Sequence, residues 1–198
     1  MARTIAKDHG EKRAQILKSA ARVFADQGFD RASMAMLARE CGISKANIYH
    51  YYDSKDALLF DLLDNYLSQL RDRICAIRPG DGPPEEALRK TVLEILMAYQ
   101  GADDEHRVQA SGLSALPEDQ QKILRSYQRD MVGHMAAILA RIAPERFDGQ
   151  PAKLRAATMS VFGMLNWFYM WNSQANEAAR REYATLVSNL TLGGLKTV

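Results

Sequence analysis

The sequence is poor in the residues that form disulfide frameworks, metal centres and membrane spans. Only two of its 198 residues are cysteines, Cys41 and Cys75, and neither has metal-ligand spacing to a partner. Two thiols in a chain of this length predict a reducing compartment. The longest apolar stretch, residues 161–171, is about half the length of a bilayer-spanning helix and contains Asn166. We therefore expect a soluble cytoplasmic protein without a membrane span, a metal or a cofactor.

Enzyme signatures are missing as well. The four histidines, His9, His50, His106 and His134, lie far apart along the chain and lack zinc-protease spacing. No glycine-rich phosphate-binding loop and no nucleophile elbow occurs. The sequence therefore predicts a protein that is not an enzyme and has no catalytic residues. An all-helical enzyme without cofactor motifs stays open as an alternative.

The hydrophobic pattern that is present predicts an all-α fold of about nine helices. No run of β-branched residues alternates with period 2, and Pro and Gly fall between the periodic segments. The first helix is predicted from about Gly10 to Gln27. One of its faces is apolar and consists of Ile16, Leu17, Ala20, Ala21 and Phe24. The run Arg78–Pro84 is the clearest break in the chain.

Two short helices are predicted between residues 33 and 51. Ser33 is the expected N-cap of the first, and Ser44 is the expected N-cap of the second. The linking segment is Cys41-Gly42-Ile43-Ser44, in which Gly42 supplies the left-handed conformation that reverses the chain. Two short helices that pack on a longer first helix form a helix-turn-helix module. This turn also occurs in helical proteins that do not bind DNA, so an interaction module remains an alternative.

Basic residues are slightly concentrated at the amino-terminal end. Residues 1–53 carry nine Lys and Arg against six Asp and Glu, a net charge of +3, whereas the remainder carries 17 against 18, a net charge of −1. A weakly basic head suits a segment that reads DNA, although chance explains a difference of this size equally well.

A longer motif makes the DNA-binding interpretation specific. The string Met36-Leu-Ala-Arg-Glu-Cys-Gly-Ile-Ser-Lys-Ala-Asn-Ile-Tyr-His-Tyr-Tyr-Asp-Ser-Lys-Asp-Ala-Leu58 closely resembles the signature of TetR-family repressors. That signature runs approximately Ile-Ala…Ala-Gly-Val-Ser-Lys-Gly-Thr-Leu-Tyr…Phe-x-x-Lys-Glu-x-Leu. The chain departs from it at Cys41, Ala46 and Asn47, and the last two lie on the recognition helix. The resemblance covers residues 10–62, under a third of the chain.

The resemblance implies two domains and a set of DNA contacts. A helix-turn-helix DNA-binding domain is expected at residues 1–53, and a ligand-binding and dimerisation domain at residues 54–198. Asn47 is expected to pair with adenine, and Ala46 to touch a thymine methyl group. The remaining base, groove-wall and phosphate contacts are expected from Ser33, Lys45, Tyr49, His50, Tyr51 and Lys55.

The carboxyl-terminal body is expected to dimerise and to bind an effector. Residues 158–171 are apolar nearly all round, which predicts cover on two sides. The last helix adds an apolar face of Tyr183, Leu186, Val187 and Leu190, so the last two helices are expected to form the homodimer interface. Aromatic and methionine side chains suit an adaptable cavity. The candidates for its lining are Tyr99, Tyr127, Met131, Met159, Phe162, Asn166, Trp167 and Met170, although each apolar one equally suits ordinary core or dimer contacts.

A second, shorter resemblance concerns the effector. The phrase Phe-Gly-Met-Leu-Asn-Trp-Phe-Tyr-Met-Trp at residues 162–171 is similar to the penultimate helix of TetR-type regulators of lipid and steroid breakdown. This resemblance implies an acyl-coenzyme A effector. The expected function is that of a repressor that binds a palindromic operator as a homodimer and is released by this effector. A regulator that senses drugs or other small molecules, and an activator, remain alternatives.

Overall fold

The computed structural model describes residues 2–78, 82–172 and 175–197. Residues 79–81 of the predicted break lie outside this description. The helices are α1 (Ala2–Gln27), α2 (Met34–Glu40), α3 (Lys45–Tyr51), α4 (Lys55–Cys75), α5 (Pro84–Ala98), α6 (Asp103–Gly112), α7 (Glu118–Ile142), α8 (Pro144–Phe147), α9 (Pro151–Trp171) and α10 (Glu177–Gly194), with a 3-10 turn at Leu113–Ala115. The described residues contain no strand, which confirms the predicted all-α class. No helix within the described ranges is long and apolar enough to cross a membrane.

The start of α1 and the presence of α8 differ from the prediction. Helix α1 begins at Ala2 rather than near Gly10, because a glycine inside a helix costs only about 1 kcal/mol and does not by itself end it. The structure also contains a helix that was not predicted, α8, which is a single turn at Pro144–Phe147. Pro144 occupies its first turn, where the missing amide hydrogen of proline is not needed.

The chain divides into two compact units. The first consists of Met1–Leu67 with Asp104–Arg125, and the second of Ser68–Asp103 with Ser126–Val198. Helix α4 is continuous from Lys55 to Cys75, so both units contain part of it. The units do not coincide with the predicted domains, and the division after residue 53 stays a prediction.

The core of the first unit follows the predicted helix faces. The α1 face is buried, with Ile16, Ala20 and Ala21 at 0% exposure. The inner face of α2 is buried as well and consists of Met34, Leu37 and Ala38, and Ile48 is the buried residue of α3. Burying a large aliphatic side chain stabilises the fold by about 1.5–3 kcal/mol. The apolar face of α1 therefore provides the platform on which the two short helices rest.

The second unit is built on antiparallel packing of α5 and α10. Near one end Arg89 donates to the side-chain oxygen of Asn189 at 2.9 Å. At the other end the buried Arg180 donates to the carbonyl oxygens of Leu96 at 3.1 Å and Ala175 at 3.2 Å. Because a buried guanidinium is stable only when its donors are satisfied, these bonds tie the start of α10 to the end of α5.

Candidate nucleic-acid interface

The turn between α2 and α3 is closed by two backbone hydrogen bonds. The amide of Ile43 donates to the carbonyl of Ala38 at 3.0 Å, and the amide of Gly42 donates to that of Arg39 at 3.1 Å. This pair of bonds is a Schellman motif, which needs a left-handed residue after the helix. Gly42 has φ +64 and meets that need. The predicted reversal at Gly42 is confirmed.

Side-chain caps fix the start of each short helix. The Ser33 hydroxyl accepts from the amide of Met36 at 3.3 Å, and the Ser44 hydroxyl accepts from the amide of Asn47 at 3.1 Å. Both N-caps were predicted. Ser54 caps α4 in the same way through the amide of Ala57 at 3.1 Å. A serine hydroxyl therefore satisfies a free backbone amide at the start of each of these three helices.

Helix α3 turns one residue inward and most of the others outward. Ile48 is fully buried, which sets the rotation of the helix about its axis. The exposed residues are Lys45, Ala46, Asn47, Tyr49 and His50. The Lys45 ammonium lies 6.0 Å from the centre of the Tyr49 ring. The structure thus brings the predicted base-reading residues together on one exposed face.

The carboxyl-terminal end of α3 carries a group of rings. Tyr51 is half-buried, and its ring stacks on that of His9 with centres 4.9 Å apart. The His50 ring meets the edge of the same tyrosine at 5.7 Å. His9 was not among the predicted site residues, because nothing in the sequence relates a residue of α1 to the end of α3.

Lys55 is held by the protein itself. Its ammonium donates to the carbonyl oxygens of Phe29 at 2.9 Å, Asp30 at 3.2 Å and Ala32 at 3.3 Å, and lies 4.4 Å from the centre of the Phe29 ring. A lysine has three N–H donors, so these bonds use all of them. Lys55 therefore joins α4 to the segment that precedes Ser33, and its predicted phosphate contact requires one of these bonds to be exchanged.

A carboxylate on α4 collects two further contacts in the first unit. The guanidinium of Arg13 on α1 donates to both oxygens of Asp61, with 2.9 Å from Nε to Oδ2. The hydroxyl of Tyr52, the residue that ends α3, donates to Oδ2 of the same carboxylate at 2.5 Å. Neither Arg13 nor Asp61 was among the predicted site residues, and Tyr52 is buried at 8% exposure.

The predicted effector-binding residues fall into two groups. Tyr99, Met131 and Phe162 are buried, and Tyr127 and Asn166 are half-buried. The Tyr99 hydroxyl donates to the side-chain oxygen of Asn166 at 2.7 Å, and burial raises the pKa of this tyrosine. These five residues belong to the second unit, and the Tyr99–Asn166 bond joins two of them directly.

The other three predicted lining residues are exposed. Met159, Trp167 and Met170 of α9 are 48%, 62% and 54% exposed, so they do not share the burial of the first five. Trp171 of α9 and Leu186 and Leu190 of α10 are also more than half exposed. Val187, predicted for the dimer face, is fully buried instead. We name the six exposed side chains of α9 and α10 the outer apolar face.

The second unit also contains a half-buried histidine. The Nε2 atom of His134 on α7 is buried and has no hydrogen-bond partner among the described residues. Burial lowers the pKa of His134. Two surface clefts of about 400 and 420 Å³ lie around α8, and no predicted effector-binding residue is among the residues that line them.

Comparison with known proteins gives matches over both parts of the chain. The model of the family described as "Bacterial regulatory proteins, tetR family" matches residues 16–62. A second model, described as "Tetracyclin repressor-like, C-terminal domain", matches residues 81–195. A solved TetR-family transcriptional regulator from Bordetella parapertussis 12822 is 33% identical, with 91% of this chain and 93% of that chain covered and a TM-score of 0.85.

Two further similar proteins are informative. BetI of Rhizobium meliloti, an HTH-type transcriptional regulator, is 31% identical over 93 residues, which are 47% of this chain and 46% of its own length. The match thus spans less than half of this relative. The structure of AibR in complex with isovaleryl coenzyme A and operator DNA has a TM-score of 0.75 and covers 90% of this chain and 97% of that chain. At 19% identity it shows a shared fold alone.

Proposed function

This chain belongs to the TetR family of bacterial regulatory proteins, and we propose on that premise that it is a transcriptional repressor. It binds a palindromic operator as a homodimer and is released by a small hydrophobic effector, an acyl-coenzyme A thioester. The main support for operator binding is the exposed face of α3. This helix begins at the Ser44 cap, and the buried Ile48 fixes its rotation.

The amino-terminal end of α3 is the base-reading end. A recognition helix places its first residues against base edges in the major groove. Asn47 has the amide that pairs bidentately with adenine, and Ala46 has a methyl group that suits thymine. Lys45 opens the same end of the helix and also meets base edges, whereas Tyr49, His50 and Tyr51 lie along the groove wall and contact mostly the backbone. Such contacts set affinity rather than sequence preference.

The outer apolar face supports a homodimer. Apolar patches of this kind on a folded chain mark interaction surfaces. A second copy of the chain presents the same patch and can therefore cover it in a twofold-symmetric dimer. A dimer presents two α3 helices, and a palindromic site places its half-sites about 34–36 Å apart. Operator binding then requires both copies.

The set of buried and half-buried side chains that includes the Tyr99–Asn166 pair supports effector binding in the second unit. Its aromatic and methionine side chains suit an acyl chain, and the hydrogen-bonded pair provides a polar group to orient the ligand. The AibR structure, which contains an acyl-coenzyme A and operator DNA, supports the choice of ligand class. Because α4 begins next to α3 and runs on into the second unit along the chain, a displacement of α4 by the effector changes the placement of α3.

The first experiment selects bound sequences from random DNA with the purified protein at near-physiological salt. One recovered palindrome is the expected result. Asn47→Ala then weakens binding about 10- to 100-fold and relaxes an adenine position, whereas Tyr49→Ala, which removes a groove-wall contact, weakens binding to all sequences alike. Lys122→Ala, which removes an exposed lysine of α7, is the matched control. Unchanged affinity and sequence preference in Asn47→Ala contradict the assignment.

The second experiment adds acyl-coenzyme A thioesters of increasing chain length to the protein on the selected operator. Release by the thioesters, and none by free coenzyme A, is the expected result. Coupling between two ligands is reciprocal, so operator DNA must weaken thioester binding by the same factor. Independent binding of thioester and DNA rules the mechanism out.

A further inference from the structure

The Asp61 carboxylate joins three segments of the first unit. It lies on α4, accepts two bonds from Arg13 on α1 and accepts one from Tyr52 at the end of α3. Its side chain is 22% exposed, and that of Arg13 is 41% exposed. Half-buried charge-assisted bonds of this kind are stronger than bonds between neutral groups.

The Tyr52–Asp61 hydrogen bond lies at the carboxyl-terminal end of α3, which Ser44 and Ile48 do not hold. Helix α3 has seven residues, and a helix this short has little stability of its own. Ser44 holds its first turn, and Ile48 fixes its rotation. Beyond Ile48, the hydrogen bond from the Tyr52 hydroxyl to Asp61 attaches the carboxyl-terminal end of α3 to α4.

The chemistry of the pair keeps the bond in place at neutral pH. Burial, with the bond to Asp61, raises the pKa of Tyr52, so its hydroxyl stays protonated and donates. The side-chain bond to Asp61 raises the pKa of Arg13. The carboxylate therefore has two permanent donors on two different segments.

A second ion pair in the same unit provides the contrast. Arg22 of α1 and Glu40 of α2 are 3.0 Å apart, with side chains 61% and 35% exposed. This pair joins α1 to α2 alone. Exposed single pairs contribute about 0–1 kcal/mol, and this one does not contact α3.

We propose that Asp61 is a positioning residue for DNA recognition, which fixes the carboxyl-terminal end of α3 to α4 through the Tyr52 hydroxyl and thereby sets discrimination between operator and other DNA. The inference rests on the proposed operator binding. Asp61 and Tyr52 do not contact DNA in this assignment; they hold the residues that do. If α3 tilts, its side chains keep their phosphate contacts but lose the alignment that hydrogen bonds to base edges require.

The test measures the ratio of two affinities in full-length protein. One is for the palindrome selected by the wild-type protein, and the other is for random-sequence DNA of equal length at the same salt. Tyr52→Phe keeps the ring and removes only the hydroxyl. We expect it to lower operator affinity by about tenfold, as loss of one bond to a charged group implies, and to leave random-sequence affinity unchanged within about twofold.

Asp61→Asn and the double variant complete a cycle. Since Tyr52 and Asp61 act through one bond, the double variant is expected to lose no more discrimination than Asp61→Asn alone. The control is Glu40→Gln, which removes the contrasting ion pair and leaves the ratio unchanged. If Asp61→Asn does not fold, the result for Tyr52→Phe decides alone.

The outcomes separate this inference from the proposed function. A wild-type protein that selects no sequence overturns both. A wild-type protein that selects a palindrome, with the same affinity ratio in Tyr52→Phe, overturns the positioning role and leaves the proposed function standing. A lower melting temperature in Tyr52→Phe without a change in the ratio means a structural bond only and also overturns it.

Discussion

The substitution Leu190→Glu is expected to abolish the homodimer. Leu190 is 57% exposed on α10 and belongs to the outer apolar face, together with Met159, Trp167, Met170, Trp171 and Leu186. Complete burial of a large apolar side chain contributes about 1.5–3 kcal/mol. Covering the exposed half therefore contributes about 1 kcal/mol for each residue.

The free energy of dimer formation is estimated from the two copies of the outer apolar face that meet in a dimer. Two copies cover twelve such side chains, or about 12 kcal/mol before the cost of association. That cost is about 4–15 kcal/mol, which is of the same size as the burial, so the loss of a few kcal/mol decides whether two copies associate. Leu190→Glu removes about 2 kcal/mol of burial from the pair and places two carboxylates in an apolar contact, each at a cost of several kcal/mol. The dissociation constant should rise at least about 1,000-fold.

Sedimentation equilibrium at micromolar concentration measures this change directly. Wild-type protein is expected to sediment as a dimer and Leu190→Glu as a monomer with unchanged helix content. Ile123→Glu is the matched control, because Ile123 is 43% exposed on α7 in the other unit. A Leu190→Glu protein that dimerises as tightly as the wild type would refute the assignment of the outer apolar face to a second copy.

Three further predictions concern stability. Lys55→Met should lower the free energy of unfolding by about 1.5–3 kcal/mol in urea titrations, since three carbonyl oxygens lose a charged donor, whereas Lys45→Met should change it by no more than about 0.5 kcal/mol; equal effects would contradict the internal role of Lys55. Arg180→Ala should cost about 3–5 kcal/mol in the same titrations, because it unpairs buried carbonyls and leaves a cavity. Burial lowers the pKa of His134 below the ordinary histidine value of about 6.5, so the unfolded state takes up its proton first and wild-type stability falls as pH drops below about 6.5. Melting curves of His134→Leu should show a smaller decrease on the acid side, and an identical decrease would exclude His134 as its source.

The local elements of the DNA-binding unit were predictable because their signals are local. A serine cap acts on an amide three residues later, and Gly42 acts on the turn it occupies. The inner faces of α1 and α2 follow from helical spacing alone. Each of these features depends on residues within one or two turns of each other, and sequence reasoning handles that range well.

The contacts of Asp61 and Lys55 were not predictable for the opposite reason. Asp61 bonds to Arg13 across 48 positions of the chain, and Lys55 bonds to Phe29 across 26. A charged residue on an amphipathic helix reads as solvent-exposed unless its partner is known. One clue was present: the quoted family pattern has phenylalanine where this chain has Tyr52, and an added hydroxyl in a core position calls for a polar partner.

Helix α9 illustrates that the sequence of a helix that is apolar all round does not show which of its residues are buried. Its sequence predicted cover on two sides, and the structure divides it: Val161, Phe162, Leu165 and Phe168 are buried, while Trp167 and Met170 point outward. The phrase at residues 162–171 that suggested an acyl-coenzyme A effector therefore contains both core residues and members of the outer apolar face. Its aromatic and methionine side chains are thus divided between the core and the outer apolar face. The effector proposal accordingly depends on Tyr99 and Asn166, whose bond lies on the inner side of the same helix.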